Sequence, residues 1–269
     1  MATESGRNNG HAPTAEQLGS WVAAFERDGL VVLRGLLSGN EILELRERIS
    51  EAFSEPDPGG STSTIIRDQM FLRGGVFEEL IDRSPVIEFV EEVLGGDCHL
   101  IAENAIYTRP GEGIDRWHVD EAVLFPRPAG VPLDRRIPLP CFIVQALYYL
   151  VDVDHEIGPT QFVPGSHRSG REPDTELTYE GQGAVSVIAK AGDCALQNGQ
   201  TWHRGATNRS LERIRIVQEV GYGRRFMAQR FYPFVNFRMP EDLLARSSSR
   251  RRRLLGVHPR GPYSRAVYA

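Results

Sequence analysis

Arg116-Trp117-His118-Val119-Asp120-Glu121 and, further along the chain, Trp202-His203-Arg204-Gly205 are the stretches from which the fold is read. On a β-strand, residues two apart project from the same side, so His118 and Asp120 aim at one point. His203, on a second strand, supplies a third ligand to that point. Two imidazoles and one carboxylate on one face of a metal leave its other positions open, as in non-haem Fe(II) oxygenase centres. An isolated His-x-Asp arises by chance in many chains, so the surrounding sequence has to carry the weight.

Working outward, strand-like pieces separated by turn residues run through the second half: Cys98–Tyr107, Arg116–Leu124, Phe142–Asp152, Thr160–Val163, Val185–Ile188, Asp193–Gln197, Trp202–Gly205 and Arg213–Tyr222. The turns between them include Pro110-Gly111-Glu112-Gly113, Gly158-Pro159, Pro164-Gly165 and Gly192-Asp193. Helices precede them. Thr14 with Gln17 forms a capping-box pattern ahead of Leu18, Trp21, Val22 and Phe25 at helical spacing, and Gly29 stops that helix. Leu30-Val31-Val32-Leu33 reads as a short buried strand, and a second helix follows Ser38-Gly39-Asn40. Ser84-Pro85 predicts an N-cap with proline at the first helical position, opening a helix that Gly95-Gly96 ends. Helices followed by about eight strands predict a mainly β fold with flanking helices: a double-sheet jelly roll under an N-terminal helical layer.

The chain has 269 residues, 41% hydrophobic and 25% charged, with a net charge of −5. That suits a single domain, expected over residues 14–269 behind a loose polar arm at 1–13. The charge gives no reason to expect nucleic acid, and no apolar run is long enough to span a membrane. The three cysteines, Cys98, Cys141 and Cys194, are scattered and odd in number. They read as reduced, and without a signal-peptide pattern a cytoplasmic location is expected.

The second half resembles the phytanoyl-CoA dioxygenase family, a branch of the Fe(II)/2-oxoglutarate-dependent oxygenases. The likeness is carried by Pro110-Gly111, Trp117-His118-Val119-Asp120, Leu150-Val151-Asp152, the run Gly158-Pro159-Thr160-Gln161-Phe162-Val163-Pro164-Gly165-Ser166-His167-Arg168, Gly192-Asp193, Trp202-His203-Arg204-Gly205 and Asn208-Arg209-Ser210, in the family's order. Asp28-Gly29-Leu30-Val31-Val32-Leu33-Arg34-Gly35 is similar to the family's first strand. The resemblance implies a double-stranded β-helix, with His118, Asp120 and His203 as Fe(II) ligands. It also implies 2-oxoglutarate and O₂ as co-substrates, and oxidation of a substrate C–H bond with release of succinate and CO₂. Hydroxylation is the default outcome; desaturation, epimerisation or ring formation would use the same ligands.

The far carboxylate of 2-oxoglutarate needs a planar, permanent cation, which arginine supplies bidentately. In the family this arginine lies on the strand after the distal histidine. Counting back from Val220-Gly221-Tyr222 selects Arg215, and counting forward from His203 falls between Arg213 and Arg215; Arg215 is preferred. A second polar contact is expected from Tyr107, Thr108 or Arg109, with Thr108 chosen. Trp117 and Trp202 read as packing beside the ligands, and His167 as part of a structural turn. His155, Asp152 and Asp154 read as turn residues.

The substrate is expected to be a small natural-product or amino-acid-like molecule, with a homodimer left open. Glu121–Arg136, punctuated by prolines, reads as a substrate lid, and Arg67–Phe77 and Phe231–Met239 as further pocket walls. Arg250-Arg251-Arg252-Arg253 reads as a solvated helix end or subunit contact rather than a nucleic-acid patch. Two other classes stay open: a metal-holding jelly-roll sensor without turnover, and a cupin-type metal-dependent hydrolase or isomerase. Succinate formation with Fe(II), 2-oxoglutarate and O₂ separates both from an oxygenase.

Overall fold

The computed structural model describes residues 11–56, 63–120, 134, 136 and 139–258. Helix α1 (Ala15–Asp28) begins at Thr14, whose hydroxyl accepts from Gln17 N–H while the Gln17 side chain returns to the Thr14 backbone. Gly29 ends the helix at φ +80°, a left-handed conformation that costs glycine nothing. The chain then enters β1 (Leu30–Leu33), buried at every residue. Helix α2 (Gly39–Ser54) has a second capping box, Ser38 with Glu41. After β2 (Ile66–Arg67) and a 3₁₀ turn over Met70–Arg73 come α3 (Val76–Ile81) and α4 (Val86–Leu94). The expected cap at Ser84 is not there. Pro85 itself holds the N-cap position of α4, and the Ser84 hydroxyl is buried without a partner.

The strands are β3 (His99–Thr108), β4 (Ile114–His118), β5 (Ile143–Tyr149), β6 (Thr160–Phe162), β7 (Val185–Ser186), β8 (Cys194–Asn198), β9 (His203–Gly205) and β10 (Arg215–Gly223). They form a six-stranded sheet, β1-β8-β5-β10-β3-β2, and a four-stranded sheet, β4-β9-β6-β7. Every recorded pairing is antiparallel. This is the double-stranded β-helix with helices on one side.

Strand alternation divides the core in two. Val31 and Leu33 of β1, Val144 and Ala146 of β5, Leu196 of β8, and Ile216, Val220 and Tyr222 of β10 turn outward. There they pack with Trp21, Phe25, Leu45, Phe77 and Phe89 of the helical layer. Leu30 and Val32, Leu147 and Tyr149, Ala195 and Val217 turn inward onto Phe162 of the smaller sheet and Val187 just beyond β7. Phe71 and Phe77, expected in a pocket wall, are fully buried in the first of these cores.

The C-terminal helices α5 (Glu241–Arg246) and α6 (Ser249–Leu254) fasten back onto the helical layer. Arg250 pairs with Glu88 and Glu91, Arg251 with Asp82, and Arg253 with Glu91 and the Cys98 carbonyl. The arginine run is therefore an intramolecular clamp, because α6 lies against the acidic ends of α3 and α4. Among the described residues no helix is long and apolar enough to cross a membrane.

Candidate metal centre and co-substrate site

His118 ends β4 and His203 opens β9, and the two are direct cross-strand partners. Their rings lie 4.3 Å apart between centroids. Each Nδ1 is hydrogen-bonded to the carbonyl two residues back, His118 to Arg116 at 2.7 Å and His203 to Thr201 at 2.8 Å. A carbonyl only accepts, so both Nδ1 atoms carry the proton and both Nε2 atoms present lone pairs. Those lone pairs face Asp120: Oδ1 is 3.6 Å from His118 Nε2 and Oδ2 is 3.2 Å from His203 Nε2. Asp120 is held by its backbone N–H, which donates to the Gly199 carbonyl at 2.9 Å.

Among the described residues this trio is the only group of histidine, cysteine or acidic side chains with metal-ligand spacing; one ligand atom from each lies within 4.8 Å of the others. Burial works to raise the Asp120 pKa. The charge of His203 and the two facing imidazoles outweigh it and hold the carboxyl below its usual range. For His203 burial works downward, and the Asp120 charge more than reverses it. Asp120 and His203 thus favour a positive charge between them, whether a second proton on His203 or a metal ion facing the two Nε2 atoms. Two neutral nitrogens and one carboxylate suit a divalent first-row metal such as Fe(II), with coordination positions left for other ligands.

The turn carrying His203 is braced on all sides. Gln200 N–H donates to the Asn198 side chain and Trp202 N–H to Ser166 Oγ. The fully buried Trp202 indole donates to the Arg171 carbonyl. Thr201 Oγ1 donates to the Gly29 carbonyl, tying the turn to the end of α1. His167 takes part in this scaffold through Glu26 O at 3.1 Å, and burial pushes its pKa down to about 4. Trp117 points away from the ligands, under the Arg204 guanidinium.

Arg215 begins β10 on the inner face, opposite Thr108. It is 3% exposed, and its guanidinium donates to the Ala206 carbonyl (3.1 Å) and Thr108 Oγ1 (3.2 Å). No carboxylate pairs with it among the described residues. Gly205 makes room for it: a Cβ there would lie 2.9 Å from Arg215 Nη2. Arg213 lies outside the strand, with a side chain 41% exposed and bonded to Asp154 and Glu156. Of the other two residues weighed beside Thr108, Tyr107 stacks on Phe53 in the outer layer and Arg109 lies over the Tyr107 ring.

Sequence reasoning missed a polar row on the larger sheet that reaches the metal-ligand cluster at Asp120. Gln197 Nε2 donates to Asp120 Oδ2 (3.5 Å) and to Gln145 Oε1 (3.3 Å). Gln145 Nε2 donates to Glu219 Oε1 (2.7 Å), and Asn104 Nδ2 to Glu219 Oε2 (3.1 Å). The signal was available: Glu219 is four residues beyond Arg215, hence on the same strand face. Arg230 donates to the Asp120 carbonyl at 3.4 Å, but Phe231, Phe237 and Met239 of the expected Phe231–Met239 wall pack with Phe71 in the outer core instead. The expected lid, Glu121–Arg136, lies outside the described residues apart from Asp134 and Arg136.

The family pattern described as phytanoyl-CoA dioxygenase matches residues 25–217. The chain belongs to the phytanoyl-CoA dioxygenase family. It is thus an enzyme of the Fe(II)/2-oxoglutarate-dependent dioxygenase class. It is 23% identical over 225 residues to the dioxygenase cdmD of Talaromyces verruculosus, covering 74% of this chain and 71% of that one. Ectoine dioxygenase of Stutzerimonas stutzeri is 27% identical over 176 residues, 59% of this chain and 52% of that protein. Among solved structures, HygX from Streptomyces hygroscopicus, with nickel and 2-oxoglutarate bound, superposes with a TM-score of 0.63 at 21% identity, covering 81% of this chain and 90% of HygX. The epimerase SnoN, in complex with Fe³⁺, α-ketoglutarate and nogalamycin RO, gives 0.63 at 23% identity, with 81% and 88% covered. At these identities the superpositions establish the shared fold.

Proposed function

We propose that this phytanoyl-CoA dioxygenase family member oxidises a C–H bond of a small metabolite, with hydroxylation as the default outcome. His118, Asp120 and His203 would hold Fe(II), and Arg215 with Thr108 would hold the far carboxylate of 2-oxoglutarate. One observation carries this reading: three convergent ligand atoms and a buried guanidinium with no carboxylate partner among the described residues occupy the same inter-sheet space. When bound, the iron supplies O₂ activation coupled to conversion of 2-oxoglutarate to succinate and CO₂.

The protein's own contributions follow from its bonds. The Arg116 and Thr201 carbonyls fix the imidazole tautomers, so both Nε2 atoms stay available to the metal. Arg215 keeps its charge, although burial lowers its pKa, and its fork would meet an anion there. Leu147, Tyr149 and Val217 keep the inner wall apolar and limit water. The substrate assignment is supported by relatives: HygX has been solved with hygromycin B and SnoN with nogalamycin RO, both small molecules. We take residues 14–269 as one catalytic unit.

The test is succinate release from purified protein with Fe(II), 2-oxoglutarate and O₂ across a metabolite panel. Substrate-stimulated release that is lost in His203→Ala is the expected result. Tight metal and 2-oxoglutarate binding without succinate from any compound would favour a non-catalytic sensor.

A further inference from the structure

The inner face of the larger sheet is apolar where it meets the smaller one, through Leu30, Val32, Ala195, Leu147, Tyr149 and Val217. At the level of Asp120 the chemistry changes across four adjacent strands. Gln197 on β8 is paired with Gln145 on β5, and Glu219 on β10 with Asn104 on β3. Hydrogen bonds connect all four side chains, and one end of the row reaches the Asp120 carboxylate. The Gln197 end is sealed, whereas Asn104 at the other end is partly open.

Glu219 is the only charged group in this row. It is 9% exposed, and its hydrogen-bond donors are neutral amides. Among the described residues no recorded hydrogen bond links a cation to this buried carboxylate, on which the Arg230 and His203 charges act through space, and a glutamine or leucine could bridge or pack in its place. Each of its oxygens has taken one amide N–H and retains acceptor capacity. Glu219 also stands four strand residues from Arg215 on the same face, roughly 13 Å along the strand. One end of β10 therefore carries a cation suited to a dicarboxylate, and the middle carries an acceptor at the level of the metal ligands.

We propose that Glu219, held in place by Gln145 and Asn104, is a specificity-determining residue. It would accept a hydrogen bond from a hydroxyl or ammonium group lying close to the C–H bond that is oxidised. The substrate class is then a polar, donor-bearing metabolite, such as a polyol or amino sugar, and not a simple acyl chain. This rests on the oxygenase reading, with 2-oxoglutarate at Arg215. Burial and the Asp120 charge, which push the Glu219 pKa up to about 7, are consistent with a carboxyl that favours the company of a donor.

The experiment is calorimetric binding to protein loaded with Ni(II) and 2-oxoglutarate, so that no turnover intervenes. The probes are polyols and amino sugars, each paired with its O-methyl or N-acetyl derivative, and fatty-acid methyl esters as donor-free compounds. Wild type should bind donor-bearing members at least about ten-fold more tightly than their blocked partners. Glu219→Leu should erase that difference, and Glu219→Gln should lose ammonium ligands while retaining hydroxyl ligands. Unchanged 2-oxoglutarate affinity in both variants shows that the site is intact; should Glu219→Leu not fold, Glu219→Gln against the ammonium probes decides. The proposal is overturned if the methyl esters bind wild type best, if no donor-bearing probe binds, or if the variants keep the wild-type preference. Failure of wild type to bind Ni(II) and 2-oxoglutarate at all would instead overturn the oxygenase reading and take this inference with it.

Discussion

At the scale of single residues, the most consequential choice is between two arginines two positions apart. Arg213 is already neutralised by Asp154 and Glu156 at the surface, while Arg215 is buried against a hydroxyl and a carbonyl. Arg215→Ala should therefore weaken 2-oxoglutarate binding by roughly ten- to a hundred-fold, the loss of a charge-assisted pair at about 1.5–3 kcal/mol. Arg215→Lys should recover only part of it, since a point charge lacks the fork. Calorimetry with the Ni(II) protein checks both; a loss in Arg213→Ala with a silent Arg215→Ala would reverse the assignment. Glu219 gives a second prediction, through pH. Its carboxyl is raised from 4.5 to about 7, so the folded metal-free protein holds a proton that the unfolded chain releases. The Glu219 contribution to stability should fall as pH rises from about 4.5 to 7 and then level off, a loss on the order of 3 kcal/mol. It is read against a variant lacking the carboxyl, because the buried His167, with its pKa lowered to about 4, acts in the opposite direction in both proteins. Glu219→Gln should remove this contribution, so that the wild-type-minus-variant stability falls between pH 5 and pH 8. Denaturant midpoints at pH 5 and pH 8 would show it, and parallel wild-type and variant curves would contradict it.

At the scale of elements, legibility in the sequence followed locality. The Thr14–Gln17 capping box and the helix start after Ser38 were readable because a cap is built from residues three apart, although the equally local Ser84 gave a cap that the structure lacks. Apart from β2, whose two residues are too short to alternate, the strands of both sheets were readable from turns and alternation, and the triad from two short motifs. Helix α3 was not, because Gly75 caps it without a side-chain bond and its Val76, Phe77, Leu80 and Ile81 are too few to show a period. The partners of the α6 arginines were equally invisible, since Asp82, Glu88 and Glu91 lie far away in the chain. Gly29 shows how a local signal can have a distant purpose. It reads as a helix stop, yet a Cβ there would lie 2.3 Å from Thr201 Oγ1 and 2.6 Å from His167 Nδ1, in the scaffold behind His203. Gly29→Ala should cost at least about 1–2 kcal/mol for the left-handed backbone alone. It should also weaken Ni(II) binding by displacing the His203 turn. Thermal unfolding and metal titration on the same sample would register both effects; unchanged metal affinity would show that the turn tolerates the displacement.

At the scale of the whole molecule, the metal-ligand cluster is one of the places where polar chemistry joins the two sheets, another being the Tyr149–Thr160 hydrogen bond. His118 and His203 belong to the smaller sheet, while Asp120 is hydrogen-bonded through Gln197 to the row on the larger one. A bound ion would therefore act on the complete sandwich, and its binding energy becomes folding energy because the unfolded chain has no such site. At a free metal concentration of about 100 times Kd the gain is about 2.7 kcal/mol. For a protein of this size that corresponds to a rise in Tm of about 5–10 °C. Ni(II) is the suitable probe, since it binds such ligand sets more tightly than Fe(II). Wild type should show the shift, Asp120→Asn should show a smaller one because the ligand loses its charge, and His203→Ala should show none. Adding 2-oxoglutarate should raise Tm again only where the metal is held and Arg215 is intact. A shift of equal size in His203→Ala would place the ion elsewhere on this acidic chain. A 2-oxoglutarate increment that survives Arg215→Ala would mean that the co-substrate is held by the metal alone.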